Sequence, residues 1–391
     1  MRHLRFFLPV LFFVCMAACP SVNAADDGVS LAPSGISTEA VGSFPNKMLH
    51  NLLDWAVKQG IPGVVLGVDT PEGRWMEAAG VANIATQEPM SPQHQIRLAS
   101  ITKPFTAVLI WSLIEDRVLS LKDPVDKWLQ PGRVPKGKII TVGMLLNHTS
   151  GLFDHENDPE FVHRLTTDPT HVWTDDEVLA ITRAHRMNFY PGKDHAYCNT
   201  GYYILGMIAE AATGQTVERL MNNRIFKPLA MKRTAVTRNG RLSSPCTPGY
   251  CYLSGYDHPL SVLRWNYSWD WTAGAGVSTA EDMLTWAAAL SGGKVLKPAT
   301  LEKAWTVKAP SKMGYGFEVA KTIFGDRRIG HTGLNPGTTT DWFFYPEKGW
   351  ALFTGLNISN HDQQKPFNTI MPLLGIRNTV EAILGWNVHV D

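Results

Sequence analysis

Ser100-Ile101-Thr102-Lys103 sets an alcohol and an amine three residues apart. On a helix that spacing puts both on one face, so the amine can take the hydroxyl proton, or bias its ionisation, and make the serine a nucleophile toward a carbonyl carbon. Two further groups could join them: Tyr197-Cys198-Asn199 supplies a phenol and an amide, and His331-Thr332-Gly333 an imidazole, a hydroxyl and a residue without a side chain. A Ser-x-x-Lys spacing arises by chance about once in a chain of ordinary composition and this length. A decoy stands at Ser291-Gly292-Gly293-Lys294. It follows a helix opened by the capping box Ser278-Thr279-Ala280-Glu281 and stopped by Gly292-Gly293, which puts Ser291 at the negative helix end, the wrong place for a nucleophile.

The elements around Ser100 must hold it at the opposite pole. From Thr106 to Ile114 the chain is apolar on nearly every face, which predicts a central buried helix rather than a surface one. Pro104 is tolerated only in a first turn, so that helix begins near Ser100 or Ile101 and Ser100 sits beside free N–H donors. Upstream, residues 46–59 carry a helical apolar stripe capped by Asn46 and stopped by Gly60, and residues 63–69 and 74–80 flank Pro71-Glu72-Gly73 as a hairpin. From about 121 to 276 helical signals dominate, at 175–185, 201–213 and 217–225, with Tyr197-Cys198-Asn199 in the loop before the second of these. The aromatic loop between Pro248 and Thr272 reads as packing. Strand signals return at 315–320, 338–345 and 350–354, with His331-Thr332-Gly333 just before the later strands, and a last helical stretch covers 378–384. The economical fold is α/β (α+β): an antiparallel sheet flanked by helices, built from about 41–119 and 277–391, with a mostly helical lobe of about 120–276 inserted. A cleft between the lobes would open at the start of the Ser100 helix.

Composition bounds the function. Thirty-six basic residues stand against 35 acidic ones, which gives no electrostatic argument for nucleic acid or anionic lipid. Residues 1–24 have a basic start, an apolar run too short to span a bilayer and a Val22-Asn23-Ala24 cleavage site, so they read as a secretory signal peptide and 25–391 as one catalytic unit, secreted or periplasmic. Lipidation at Cys19 is a minor alternative. In an exported chain Cys246 and Cys251, with Pro-Gly bending the loop between them, are a plausible disulfide and Cys198 is left over. No Cys-x-x-Cys or His-x-x-x-His pair suggests a metal, and no cofactor is implied.

The three motifs, in this order, resemble those of the serine penicillin-recognising hydrolases, the family of class C β-lactamases and secreted D-alanyl-D-alanine carboxypeptidases. The likeness extends through Leu145-Leu-Asn-His-Thr-Ser-Gly-Leu152, Pro191-Gly192 and Asn223-Arg-Ile-Phe-Lys-Pro-Leu229. The resemblance implies a β-lactamase/transpeptidase-like fold and an acyl-enzyme on Ser100, with Lys103 and Tyr197 sharing proton handling. It implies that Asn199 holds the substrate amide and orients Lys103, that the N–H groups of Ser100 and Leu334 bind the oxyanion, and that His331 returns a proton or positions Tyr197. Thr332 and Gly333 would let the strand edge approach the substrate. An adjacent ammonium is expected to lower the Tyr197 phenol; whether Lys103 or Tyr197 is the base stays open. The third motif begins with histidine, not the lysine usual in class C β-lactamases, so the cation that attracts a substrate carboxylate is missing there; Lys321, Arg327 and Arg328 are candidates to replace it. The expected substrate is a small amide or a peptidoglycan peptide: a D-alanyl-D-alanine-type peptide or β-lactam first, an ester or D-amino-acid amide second. A peptidoglycan sensor without turnover is a third reading, and self-association is left open.

Overall fold

The computed structural model describes residues 46–322, 325–361 and 368–387. The expected leader at 1–24, with Cys19, lies outside the described residues. Helix α1 (Asn46–Lys58) buries Leu49, Leu52, Leu53 and Ala56 along one stripe and stops at Gly60, whose φ of 90° only glycine adopts cheaply. The hairpin β1 (Gly63–Thr70) and β2 (Gly73–Asn83) follows, then β3 (Glu88–Pro89) and β4 (Ile96–Arg97). A single 3₁₀ turn, Ala99–Ile101, runs from β4 into α2 (Thr102–Glu115), which is buried on almost every face, as its uninterrupted apolar run requires. Phe105 on α2 stacks on Trp286 at 4.7 Å and meets Phe226 edge-on at 5.4 Å.

The next segment is helical: α3 (Val142–Leu146), α4 (Pro159–Thr167), α5 (Asp175–Ala184), α6 (Asn199–Thr213) and α7 (Val217–Met221). Helix α6 starts two residues before the expected 201, so Asn199 is its first residue and Cys198 its cap position. Short strands β5 (Ala235–Val236), β6 (Tyr250–Tyr252) and β7 (Leu260–Ser261) precede α8 (Trp271–Gly274) and β8 (Gly276–Ser278). The aromatic loop packs, with Tyr250, Trp265, Tyr267, Trp269 and Trp271 buried and Tyr256 exposed.

After α9 (Ala280–Ser291) and α10 (Pro298–Trp305) come β9 (Glu318–Lys321), β10 (Arg327–Asn335), β11 (Thr338–Tyr345), β12 (Trp350–Leu356) and β13 (Ile358–Asn360), then α11 (Ile370–Asn387). The α9 cap is Thr279, whose hydroxyl accepts from Asp282 N–H, and the decoy Ser291 is exposed at its far end. His331-Thr332-Gly333 lies inside β10, just before β11 and β12 as expected. Seven strands form an antiparallel sheet in the order β3-β2-β1-β12-β11-β10-β9, joining both ends of the chain. Helices α1 and α11 cover one face and share a core with Val64, Leu66 and Phe343; α9 and α2 pack on the other. Cys246 and Cys251 are free thiols, which corrects the disulfide expected between them. The backbone explains the separation: Cys251 is in β6, paired with Leu260 and Ser359, while Cys246 bridges to Gln95.

Candidate active site

Ala99 takes φ = 50°, a left-handed backbone that an L-residue holds only when its surroundings over-determine it. They do here. Leu98 carbonyl accepts from Thr340 hydroxyl at 2.9 Å, and Thr102 hydroxyl donates to Ala99 carbonyl at 2.7 Å. A methyl group at Gly333 would stand 2.3 Å from Leu98 O and 3.1 Å from Ala99 Cβ, so only glycine lets β10 lie this close to the turn that carries Ser100.

Lys103, wholly buried one turn above Ser100, donates to Ser100 Oγ at 3.0 Å, Asn199 Oδ1 at 2.7 Å and Ala273 carbonyl at 2.8 Å. Those three bonds use every donor of an ammonium. Tyr197 hydroxyl donates to Ser100 Oγ at 2.9 Å, so alcohol, amine and phenol converge on one oxygen. Burial lowers the Lys103 ammonium below its ordinary range, although Asp270, Glu156 and Asp154 pull the other way. Burial raises the Tyr197 phenol well above its own, which outweighs the lowering expected from the neighbouring amine. Of the two groups, the amine is therefore the one that burial moves toward its proton-accepting form.

Asn199 is not the cap of its own helix. Asp154 Oδ2 accepts from both Asn199 N–H at 2.8 Å and Asn199 Nδ2 at 3.1 Å, capping α6 from outside and turning Asn199 Oδ1 toward Lys103. Tyr197 is held in turn by His148, whose ring stacks on it at 4.4 Å and whose Nδ1 accepts from Cys198 N–H at 3.0 Å. Cys198 itself is buried packing.

The His331 ring centroid is 6.0 Å from that of Tyr197. Its Nδ1 lies 2.5 Å from Thr332 carbonyl and 3.3 Å from Glu318 Oε1, so Nδ1 carries the hydrogen and Nε2 keeps a lone pair, buried without a partner. Burial lowers His331, with Glu318 opposing, and the ring is neutral at pH 7. Glu318 Oε1 accepts from Thr332 N–H at 3.0 Å and Thr332 hydroxyl at 2.8 Å, and its side chain is 29% exposed. Burial would raise its carboxyl, but His331 and the two Thr332 bonds prevail and hold it below the usual range. Alternate N–H groups of a strand point the same way. Since Thr332 N–H turns from β11 toward Glu318, Leu334 N–H faces the same edge, past Gly330 where β9 stops pairing.

The candidate cations do not reach this place. Arg327 is paired with Glu302 and Glu347, Arg328 with Glu381, and Lys321 is exposed in β9. An acid, Glu318, sits there instead. Asp154, His148 and Glu318 were missed from the sequence because each acts across a long chain separation. The one available signal was the run Leu145–Leu152, which holds His148 but assigns it no role. No group of residues able to hold a metal ion is found among the described residues.

An alcohol activated at a helix start, facing a free strand edge on an antiparallel sheet flanked by helices, defines a serine hydrolase. The Beta-lactamase family model matches residues 45–369, and the chain belongs to that family. It is 30% identical over 329 residues to penicillin-binding protein 4* of Bacillus subtilis, covering 79% of this chain and 70% of that one. A D-stereospecific amidohydrolase from Streptomyces sp. superposes with a TM-score of 0.73 at 31% identity, covering 79% of this chain and 93% of that one. A D-amino acid amidase from Ochrobactrum anthropi SV3 superposes with a TM-score of 0.77 at 27% identity, covering 87% and 99%. No described helix is long and apolar enough to cross a membrane.

Proposed function

We propose that the chain hydrolyses amides of D-amino acids through an acyl-enzyme on Ser100, and that substrates with a free carboxylate beside the scissile bond are disfavoured. The observation that carries this reading is the Glu318 carboxylate, which occupies both the N–H and the hydroxyl of Thr332, beside the histidine that stands in place of a cation in the third motif. Like charges in a shielded cleft repel strongly, so an anionic leaving group meets a penalty there and a neutral one does not. The similarity to a D-stereospecific amidohydrolase and a D-amino acid amidase supports the same choice over carboxypeptidase.

In this reading Lys103, as the neutral amine, takes the Ser100 proton while Oγ attacks the carbonyl carbon. The oxyanion that forms is met by the N–H groups of Ser100 and Leu334. Tyr197 passes a proton to the departing amine and is resupplied by Lys103, with the His331 ring 6.0 Å from the Tyr197 ring. Water then attacks the ester by the reverse proton path. Asn199 keeps Lys103 on Ser100 and presents its amide to the substrate. Export by the leader at 1–24 belongs to the same proposal and is tested by N-terminal sequencing of the secreted protein.

The test compares D-alanine amide, its L-enantiomer, D-alanyl-D-alanine and a fluorescent penicillin. Turnover of the D-amide with at least ten-fold preference over the L-form, lost in Ser100→Ala, is expected. Faster release of D-alanine from the dipeptide than of ammonia from the amide would return the chain to the carboxypeptidases.

A further inference from the structure

Beyond the Asn335 end of β10, opposite Glu318, lies a cavity of about 330 Å³ with a one-sided charge. Arg97, Arg241 and Arg264 line it with Asn239, Asn266 and Thr170, and no acidic side chain does. Arg97 is only 4% exposed. Its guanidinium donates to Gly240 carbonyl and lies 3.9 Å above the Tyr267 ring, while its Nε is buried with no hydrogen-bond partner. Among the described residues no carboxylate pairs with it, and the groups that act on its charge are Tyr267 and Cys246, both neutral at pH 7. A guanidinium cannot shed its proton to escape burial. A buried charge without a counter-charge is strongly unfavourable, and folded proteins compensate it with a partner. Arg241 and Arg264 are exposed and make no ion pair among the described residues, so the charge around the cavity is reinforced, not balanced.

We infer that this cavity binds a small oxyanion, a carboxylate or phosphate group, which supplies the counter-charge Arg97 lacks. The volume suits a compact ligand rather than a polymer. Arginine forks and the side-chain amides of Asn239 and Asn266 are the donors such a group needs, while the Thr170 hydroxyl is turned to Asp168 Oδ1 at 3.2 Å. The cavity is also wired to the nucleophile. Arg97 lies three residues before Ser100 in β4. Tyr267, on which it stacks, donates to Pro336 carbonyl at 2.6 Å, two residues past Leu334. An anion that fixes Arg97 on Tyr267 therefore steadies the two chain segments that carry the Ser100 and Leu334 N–H groups. Its source is either an acid on the distal part of the substrate's acyl portion or a free anion.

Isothermal titration with inorganic phosphate, and separately with glutarate, at an ionic strength held constant with sodium chloride, tests this. The full chain should bind at one site, and the double variant Arg241→Gln/Arg264→Gln should bind at least ten-fold more weakly. The single exposed variant Arg264→Gln, with an unchanged melting temperature, guards against a folding artefact and should fall between the two. Absence of saturable binding in the unaltered chain, or equal affinity in the double variant, overturns the site. Two matched amides, one with a distal carboxylate on the acyl side and one with its methyl ester, separate the sources. Phosphate raising KM for the acid alone marks the site as a substrate anchor, and phosphate changing kcat equally for both marks a free effector.

Discussion

A lysine whose three donors are all engaged inside the protein can act as a base only if the fold favours its neutral form. Burial pushes Lys103 that way, and Asp270 is the strongest of the groups that resist it. Burial also raises Asp270 to about 6, so above that pH it is ionised and holds a proton on Lys103. Asp270→Asn removes this pull, lowers Lys103 further and should move the acid limb of kcat/KM to lower pH. A limb that stays in place or rises would remove Lys103 from the role of base. Glu318→Gln keeps the size of the side chain but not its charge. It should raise the kcat/KM ratio of D-alanyl-D-alanine to D-alanyl-D-alanine amide by about ten-fold, roughly the 1.4 kcal/mol that one relieved repulsion is worth. An unchanged ratio would show that Glu318 only orients His331. Ser100, Lys103, Tyr197 and His331 were legible because each lies in a short motif whose spacing is itself chemical. Asp154 and Glu318 were not, because each completes the site by accepting backbone N–H bonds from residues 45 and 14 positions away, and nothing periodic in the sequence marks such a partner.

At the scale of elements the site depends on how closely α6, α8 and α2 approach one another. Thr272 hydroxyl donates to Tyr202 carbonyl at 2.9 Å, Thr106 hydroxyl to Thr272 carbonyl at 2.7 Å, and Ala273 carbonyl receives Lys103. Gly206 is the point of contact: a methyl group there would stand 2.6 Å from Thr272 Oγ1 and 2.8 Å from Trp271 Cζ3. Gly206→Ala gains about 1 kcal/mol of helix propensity and loses about 1–3 kcal/mol to overpacking. The net expectation is a small loss of stability with a larger loss of kcat, about ten-fold, because α6 carries Asn199 at its first position. Wild-type kcat in a variant of lowered melting temperature would uncouple the helix contact from the site. Long, strongly patterned elements were readable: 338–345 is the full span of β11, and the stripe at 46–59 is α1 to within a residue. The start of α6 was not, since its cap comes from Asp154, and α11 extends past the expected 378–384 because its tertiary face on the sheet, with Ile376 and Val380 buried, sustains it.

For the whole molecule, the two chain ends share one sheet, so stability is a property of the entire fold, and the buried ionisable groups behind Lys103 tilt it with pH. Glu156 is 8% exposed, has an oxygen without a partner, and is raised well above the ordinary carboxylate range by burial first and by Asp270 and Asp154 next. The folded chain therefore keeps this proton at pH values where the unfolded chain, titrating near 4.3, has lost it. Folded molecules then bind more protons than unfolded ones, so the group's contribution to stability falls as pH rises between those two values, by at most about 1.4 kcal/mol per pH unit. His148, buried and held well below its ordinary range, acts in the opposite sense: its contribution rises with pH up to the unfolded value near 6.5. Glu156→Gln keeps the shape of the side chain and deletes one of the two opposing slopes. Urea unfolding at pH 5, 6 and 7 should show the variant gaining on the parent as the pH rises. A constant difference across the three would mean that Glu156 ionises inside the fold as it does in water.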